Sequence, residues 1–189
     1  MAAMSTKEAI LTEARRIAQA HGYSGMNFRE LATSVGIKPA SIYNHFPSKA
    51  ELGAAVARRY WEDAAANLEL ISTVERDPVA SLRRYPEMFR RSLESDNRLC
   101  LGSFMSAEHD DLPASVMQEV QTFTDINVAW LARMLVAAGI ADTDGAAHGR
   151  AQAIFASIAG AQLMARSRSD IGVFDSLVSA YRKAGLLPS

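Results

Sequence analysis

Seven side chains between residues 29 and 49 carry chemistry suited to a polyanion: Arg29, Lys38, Ser41, Tyr43, Asn44, His45 and Lys49. Lys38 and Lys49 flank a short segment and can neutralise phosphates, and Arg29 suits the same contact. The hydroxyls of Ser41 and Tyr43 can donate hydrogen bonds to phosphate oxygens. Ser41 and Asn44 can also bond to base edges, while Pro39 and Ala40 can pack on thymine methyls. His45 suits a contact with a nucleic-acid backbone or local packing. The chemistry is therefore that of nucleic-acid recognition, with some groups positioning and others reading sequence.

These groups need elements to hold them. Asn27 followed by Glu30 has the spacing of a capping box at a helix start. Phe28, Leu31, Ala32 and Val35 then fall at helical spacing and form one apolar face. Gly36 tolerates the positive φ that ends a helix and turns the chain. Pro39 suits the first turn of a second helix, where a missing N–H costs nothing. Pro47 ends that helix. Its inward side carries Ile42 and Phe46; Lys38, Ala40, Ser41, Tyr43, Asn44 and His45 lie outward. Ser48 and Glu51 form a second capping box and open a longer helix. The layout over about residues 27–46 is a helix-turn-helix, whose second helix enters the major groove.

The run Ile37 to Leu52, and within it Tyr43-x-His45-Phe46-x-x-Lys49-x-x-Leu52, resembles the DNA-binding domain of the TetR family of transcriptional regulators. The preceding helix agrees, with Ile10, Ala14, Ile17 and Ala18 on one face before His21-Gly22-Tyr23. The resemblance covers about residues 6 to 55. It implies a homodimer on a pseudo-palindromic DNA operator and a helical bundle that binds a small apolar or amphipathic effector.

Composition sets the frame. The 189 residues lack an alternating strand pattern of useful length, and the chain reads as all-α. The expected organisation is an N-terminal three-helix DNA-binding domain (5–52) and a C-terminal ligand-binding and dimerisation bundle (53–189), about nine helices in all. The third helix continues from Lys49 to about Ser72. The following helices are expected over 77–95 with a kink at Pro86, 100–109, 113–138, 146–168 and 171–184, with a turn at 142–145. Residues 1–61 hold eight Lys/Arg against four Glu, a net of +4 in a chain of net −1, leaving −5 for the rest. A basic head on an acidic body confines the DNA contact to the head. No basic segment followed by an apolar stretch opens the sequence, and no 18-residue apolar run exists, so neither a signal peptide nor a membrane span is expected. The single Cys100 fits a reducing cytosol, and the expected localisation is cytoplasmic.

Large apolar side chains gather in the middle of the chain. Trp61, Met88, Phe104, Met105, Phe123 and Trp130, with Glu108 as a polar group, are the candidate ligand-binding residues. Each apolar one also suits plain core filling; that the bundle holds a pocket is what the resemblance implies. Small residues, among them Ala153, Ser157 and Gly160, permit close helix approach. Phe174, Leu177 and Tyr181 give the last helix an apolar face. Packing within one chain would use the same residues; the resemblance implies a four-helix interface between two copies. Cys100, two residues after Arg98, suits either a buried small hydrophobe or, in an alternative redox reading, a sensing thiol. An activator with the same head is the other alternative. Glu108-His109-Asp110-Asp111 does not converge as a metal site, because adjacent helical residues point apart. No Gly-rich phosphate loop, metal-pair spacing or nucleophile elbow is visible, so neither an enzyme nor a cofactor is expected.

Overall fold

The computed structural model describes residues 5–142 and 144–189. The described residues form ten α-helices and no strand: α1 (Thr6–His21), α2 (Phe28–Val35), α3 (Pro39–His45), α4 (Lys49–Glu75), α5 (Pro78–Arg84), α6 (Glu87–Glu94), α7 (Leu101–Ala107), α8 (Ala114–Ala137), α9 (Asp144–Arg168) and α10 (Ile171–Lys183). A 3-10 turn, His109–Asp111, lies between α7 and α8. The all-α expectation holds. The helix expected to kink at Pro86 is instead two, α5 and α6. Proline has no N–H to offer Leu82, and bonding restarts when Met88 donates to the Tyr85 carbonyl and Phe89 to the Pro86 carbonyl. With α5 and α6 taken as the two arms of that one helix, the described residues hold the expected nine. Thr143 of the expected 142–145 turn lies outside the described residues, and α9 starts at Asp144.

The chain divides into two compact units: residues 1–62 with 101–122, and 63–100 with 123–189. The unit that holds the helix-turn-helix thus reaches beyond residue 52 and includes α7 and the first part of α8. Helices α4 and α8 each contribute to both units. The first unit is built on the stripe foreseen for α1: Ile10, Ala14 and Ala18 are wholly buried. Leu31 and Ala32 of α2, Ile42 of α3, Phe46 and Leu52 join that core, together with Met105 and Val116 from the added segment. Truncating such a side chain to Ala costs about 2–5 kcal/mol through lost burial and the cavity left behind.

The second unit packs Leu82, Tyr85, Phe89, Phe123, Trp130, Leu131, Ile154, Ile158 and Phe174 inward. Two wholly buried polar side chains, Asn127 and Gln162, are paired. The Tyr85 hydroxyl donates to Asn127 Oδ1 (3.0 Å), and Asn127 Nδ2 donates to the Phe123 carbonyl (2.8 Å). Gln162 accepts from the Cys100 backbone N–H and donates to the Phe89 carbonyl. Such pairs avoid the penalty of a buried unsatisfied group and fix the register of the helices they join.

Candidate nucleic-acid interface

Local chemistry sets the helix-turn-helix. Asn27 Oδ1 accepts from the Arg29 N–H at 2.8 Å, so the N-terminal half of the expected capping box is present. At the other end of α2, Gly36 has φ +75°, and the N–H of Ile37 donates back to the Ala32 carbonyl at 2.9 Å. A side chain is strained in that left-handed region, so glycine closes the turn. Pro39 is the first residue of α3. Ser48 Oγ then accepts from the Glu51 N–H at 3.1 Å and starts α4.

The two faces of α3 separate as expected. Ile42 is wholly buried and Phe46 nearly so. Lys38, Pro39, Ala40, Tyr43, Asn44 and His45 are exposed and Ser41 is half-buried. Tyr43 packs on the Phe28 ring at 4.9 Å between centroids yet keeps 55% of its surface open. A surface cleft of about 490 Å³ is lined by Met26, Asn27, Phe28, Arg29, Pro39, Tyr43 and Lys49. Its polar lining is cationic and hydroxylic, beside the N-terminus of α2 where backbone amides favour an anion. Three of the groups that can meet phosphate, Arg29, Tyr43 and Lys49, are therefore brought together.

The charge of this unit is sorted by place rather than by total. The segment 101–122 adds Glu108, Asp110, Asp111 and Glu119 and no Lys or Arg, so the unit as a whole is not basic. Arg16, Arg58 and Arg59 are paired with Glu13, Glu119 and Glu8. The cations of the α2–α3 surface, Arg29, Lys38 and Lys49, are left to carry the electrostatics. A basic head read from residues 1–61 alone overlooks these compensating acids, which arrive from a distant stretch of chain.

Two carboxylates of that stretch have defined tasks. Glu119, 8% exposed, accepts from Arg58 (2.5 Å) and from the Trp61 indole N–H (2.7 Å). The Arg58 hydrogen bond holds its carboxyl below the usual range, against the burial that raises it. Glu108 accepts from the backbone N–H groups of Tyr23 and Ser24. Its carboxylate is engaged by the loop after α1 rather than standing as the polar group of a ligand pocket.

The candidate ligand residues are divided between the two units. Trp61, Phe104, Met105 and Glu108 belong to the first unit; Met88, Phe123 and Trp130 belong to the second. Met105 is wholly buried in the core of the first unit. Trp130 stacks on Tyr85 at 5.8 Å and donates its indole N–H to Ser72 Oγ. The association candidates split by face: Ala153 and Gly160 are exposed, Ser157, Leu177 and Tyr181 are half-buried, and Phe174 is buried in its own chain at 1% exposure. Sequence reading did not place their neighbours Leu163 and Met164, 57% and 47% exposed, on this face. Their helical spacing from Gly160 was the available signal. Cys100 is 2% exposed, and the guanidinium of Arg98 is engaged by Asp96.

Known proteins agree with this geometry. Residues 10–56 match the model of the bacterial regulatory proteins of the tetR family. A TetR transcriptional regulator from Legionella pneumophila superposes with a TM-score of 0.91 at 28% identity, over 97% of this chain and 99% of that one. The N-terminal domain is that of the TetR family of transcriptional regulators, and the chain shares the fold of a solved member over nearly its whole length. A second TetR family transcriptional regulator, from Agrobacterium tumefaciens, superposes with a TM-score of 0.88 at 26% identity, over 95% of this chain and 96% of its own. The HTH-type transcriptional repressor AcnR of Corynebacterium diphtheriae is 37% identical over 84 residues, 42% of this chain and 43% of that protein. The chain thus matches less than half the length of that curated relative. Among the described residues, no helix is long and apolar enough to cross a membrane.

Proposed function

We propose that this protein is a homodimeric repressor that binds a pseudo-palindromic operator and is released by a small apolar or amphipathic molecule. The observation that carries the reading is the outward face of α3, with exposed Lys38, Ala40, Tyr43 and Asn44 beside a cleft that gathers Arg29, Tyr43 and Lys49. Arg29, Tyr43 and Lys49 hold phosphates, His45 lies against the backbone, and Lys38, Pro39, Ala40, Ser41 and Asn44 face the bases. The few cations on this surface support only modest affinity for one copy. Two half-sites engaged at once raise it by linkage. The exposed stripe Ala153, Ala156, Gly160, Leu163 and Met164 on α9 supports a second copy as partner, because exposed apolar residues on one face mark an association surface. Likeness to AcnR, a repressor by name, supports repression.

The effector reading rests on the large apolar residues of the second unit, Met88, Phe123 and Trp130, and on α4, one helix that runs from Lys49 beside the cleft into that unit. A ligand that prefers one arrangement of α4 shifts the separation of the two α3 helices, with a typical coupling of about 1–3 kcal/mol. The test is selection of DNA from a random duplex pool, followed by a reporter placed behind the selected sequence. Enrichment of an inverted repeat, and lower reporter output when the protein is present, is the expected result. Recovery of no sequence, or of one without two-fold symmetry, defeats the reading; raised output makes the protein an activator.

A further inference from the structure

The loop after α1 leaves two backbone donors in need of a partner. Gly22 (φ +71°) ends the helix, and its N–H still reaches the Ala18 carbonyl. Gly25 and Met26 donate to the carbonyls of His21 and Tyr23. Between them the N–H groups of Tyr23 and Ser24 point the same way, and successive amides so arranged form a concavity for an anion. The anion present is the Glu108 carboxylate, with Oε2 at 2.6 Å from the Tyr23 nitrogen and Oε1 at 3.3 Å from the Ser24 nitrogen. Gly22 leaves room for it, since a Cβ there would overlap that carboxylate. The same two loop residues hold Lys49 from their other side. Lys49 Nζ donates to the Ser24 carbonyl at 3.0 Å and sits 4.7 Å from the centroid of the Tyr23 ring. Lys49 also lines the cleft with Arg29 and Tyr43.

We infer that Glu108 is a positioning residue for DNA binding: its carboxylate fixes the Tyr23–Ser24 loop, and the loop fixes the Lys49 ammonium where a phosphate is met. This rests on the reading of Lys49 as a phosphate contact. An ammonium on a four-carbon stem has many rotamers, and holding it by a carbonyl and a ring leaves less ordering to be done on binding. The link also makes the end of α7 a control point. Any change that lifts Glu108 off the loop loosens a DNA contact although no group on the DNA surface itself is altered.

The test uses the duplex selected by the wild-type full-length protein, with Glu108→Ala, Lys49→Ala and the double variant. Binding is measured across a salt series. Lys49→Ala lowers the slope of log K against log salt by about 0.9, the release of one phosphate's counterions. Glu108→Ala lowers that slope in the same direction and weakens binding by about 3–10-fold in moderate salt. In the Lys49→Ala background it adds nothing beyond about twofold, since both changes remove one contact. Glu108→Gln keeps the side-chain volume and one acceptor; it gives an intermediate effect and serves where the Ala variant does not fold. Amide hydrogen exchange of Tyr23 and Ser24 speeds up in either Glu108 variant and not in Lys49→Ala. Independent, additive effects of Lys49 and Glu108, or an unmoved salt slope in the Glu108 variants, overturn the positioning role alone. Unchanged binding and slope in Lys49→Ala remove the phosphate reading of Lys49 and the inference with it.

Discussion

The outward faces of α3 and α9 are both open to solvent and are built from opposite materials. On α3 the exposed positions carry an ammonium, a phenol, an amide and an imidazole, with Ala40 and Pro39 as the small members. On α9 they carry Ala153, Ala156 and Gly160, then Leu163 and Met164. A surface rich in donors suits a partner that is charged and hydrated. A surface of small and apolar groups suits a partner that removes it from water, such as another copy of itself. The two faces also depend on each other. In the proposed dimer, the few cations near α3 gain useful affinity because the α9 face doubles them.

The largest break in this comparison comes from the α9 face. Leu163→Arg would place like charges against each other across the proposed two-fold interface. Sedimentation is expected to show a monomer, and affinity for the selected inverted repeat is expected to fall by about 10²–10⁴-fold, the usual gain from linking two sites. The affinity for a single half-site should be unchanged. A dimer that persists in Leu163→Arg would mean that this face is not the interface.

Next comes the α3 side. Tyr43→Phe combined with Lys49→Ala removes one hydroxyl and one cation and leaves the buried side of the helix intact. Binding to the selected duplex is expected to weaken by about 10–100-fold, with a salt slope lower by about one. Thermal unfolding should move little, since Tyr43 is 55% exposed. Unchanged affinity together with an unchanged slope would show that neither group meets a phosphate.

The Arg58–Glu119–Trp61 contact belongs to neither face and stabilises the first unit. Glu119 has its carboxyl depressed below its ordinary 4.5 by the Arg58 hydrogen bond. A depressed carboxyl contributes stability that is complete above the ordinary value and fades as pH falls through the lowered one. Glu119→Gln is therefore expected to cost about 1 kcal/mol at neutral pH, a modest figure because the Arg58 side chain is 60% exposed. The difference from wild type should shrink below pH 4.5. Urea unfolding at several pH values reads it, with Trp61 fluorescence as the local signal. A difference that stays constant with pH would mean that Glu119 carries no charge-dependent role.

What could be read from the residues alone follows from range. The caps at Asn27 and Ser48, the Gly36 turn, Pro39 at the head of α3 and its two faces are all set by neighbours within a few positions, and all are legible. The all-α class is legible for the same reason. Asn127 and Gln162 were legible in principle: each falls on the buried register of its helix, between Phe123 and Trp130 or between Ile158 and Ala165, where a polar residue must find a partner. Glu108 and Glu119 were not. Their partners lie 85 and 61 positions away, and no local pattern separates a carboxylate that holds a loop from one that lines a pocket. The division of the chain escaped for the same reason, since 101–122 joins the first unit through contacts distant in sequence.

The smallest effect is expected at Cys100, which belongs to neither face. At 2% exposure its thiol is closed to solvent, and the Arg98 charge that would activate it is taken up by Asp96. Cys100→Ala leaves only a small cavity and is expected to cost about 1 kcal/mol, read by urea unfolding. Operator affinity should be the same for the variant and the wild type, before and after peroxide or a maleimide. Modification needs the thiol exposed, so in the native protein it should proceed only as fast as the second unit opens, and mild urea should accelerate it. Rapid native-state labelling accompanied by loss of DNA binding in the wild type alone would reverse this. It would show a third responsive region in the molecule, one whose signal reaches α3 through the thiol rather than through a bound effector.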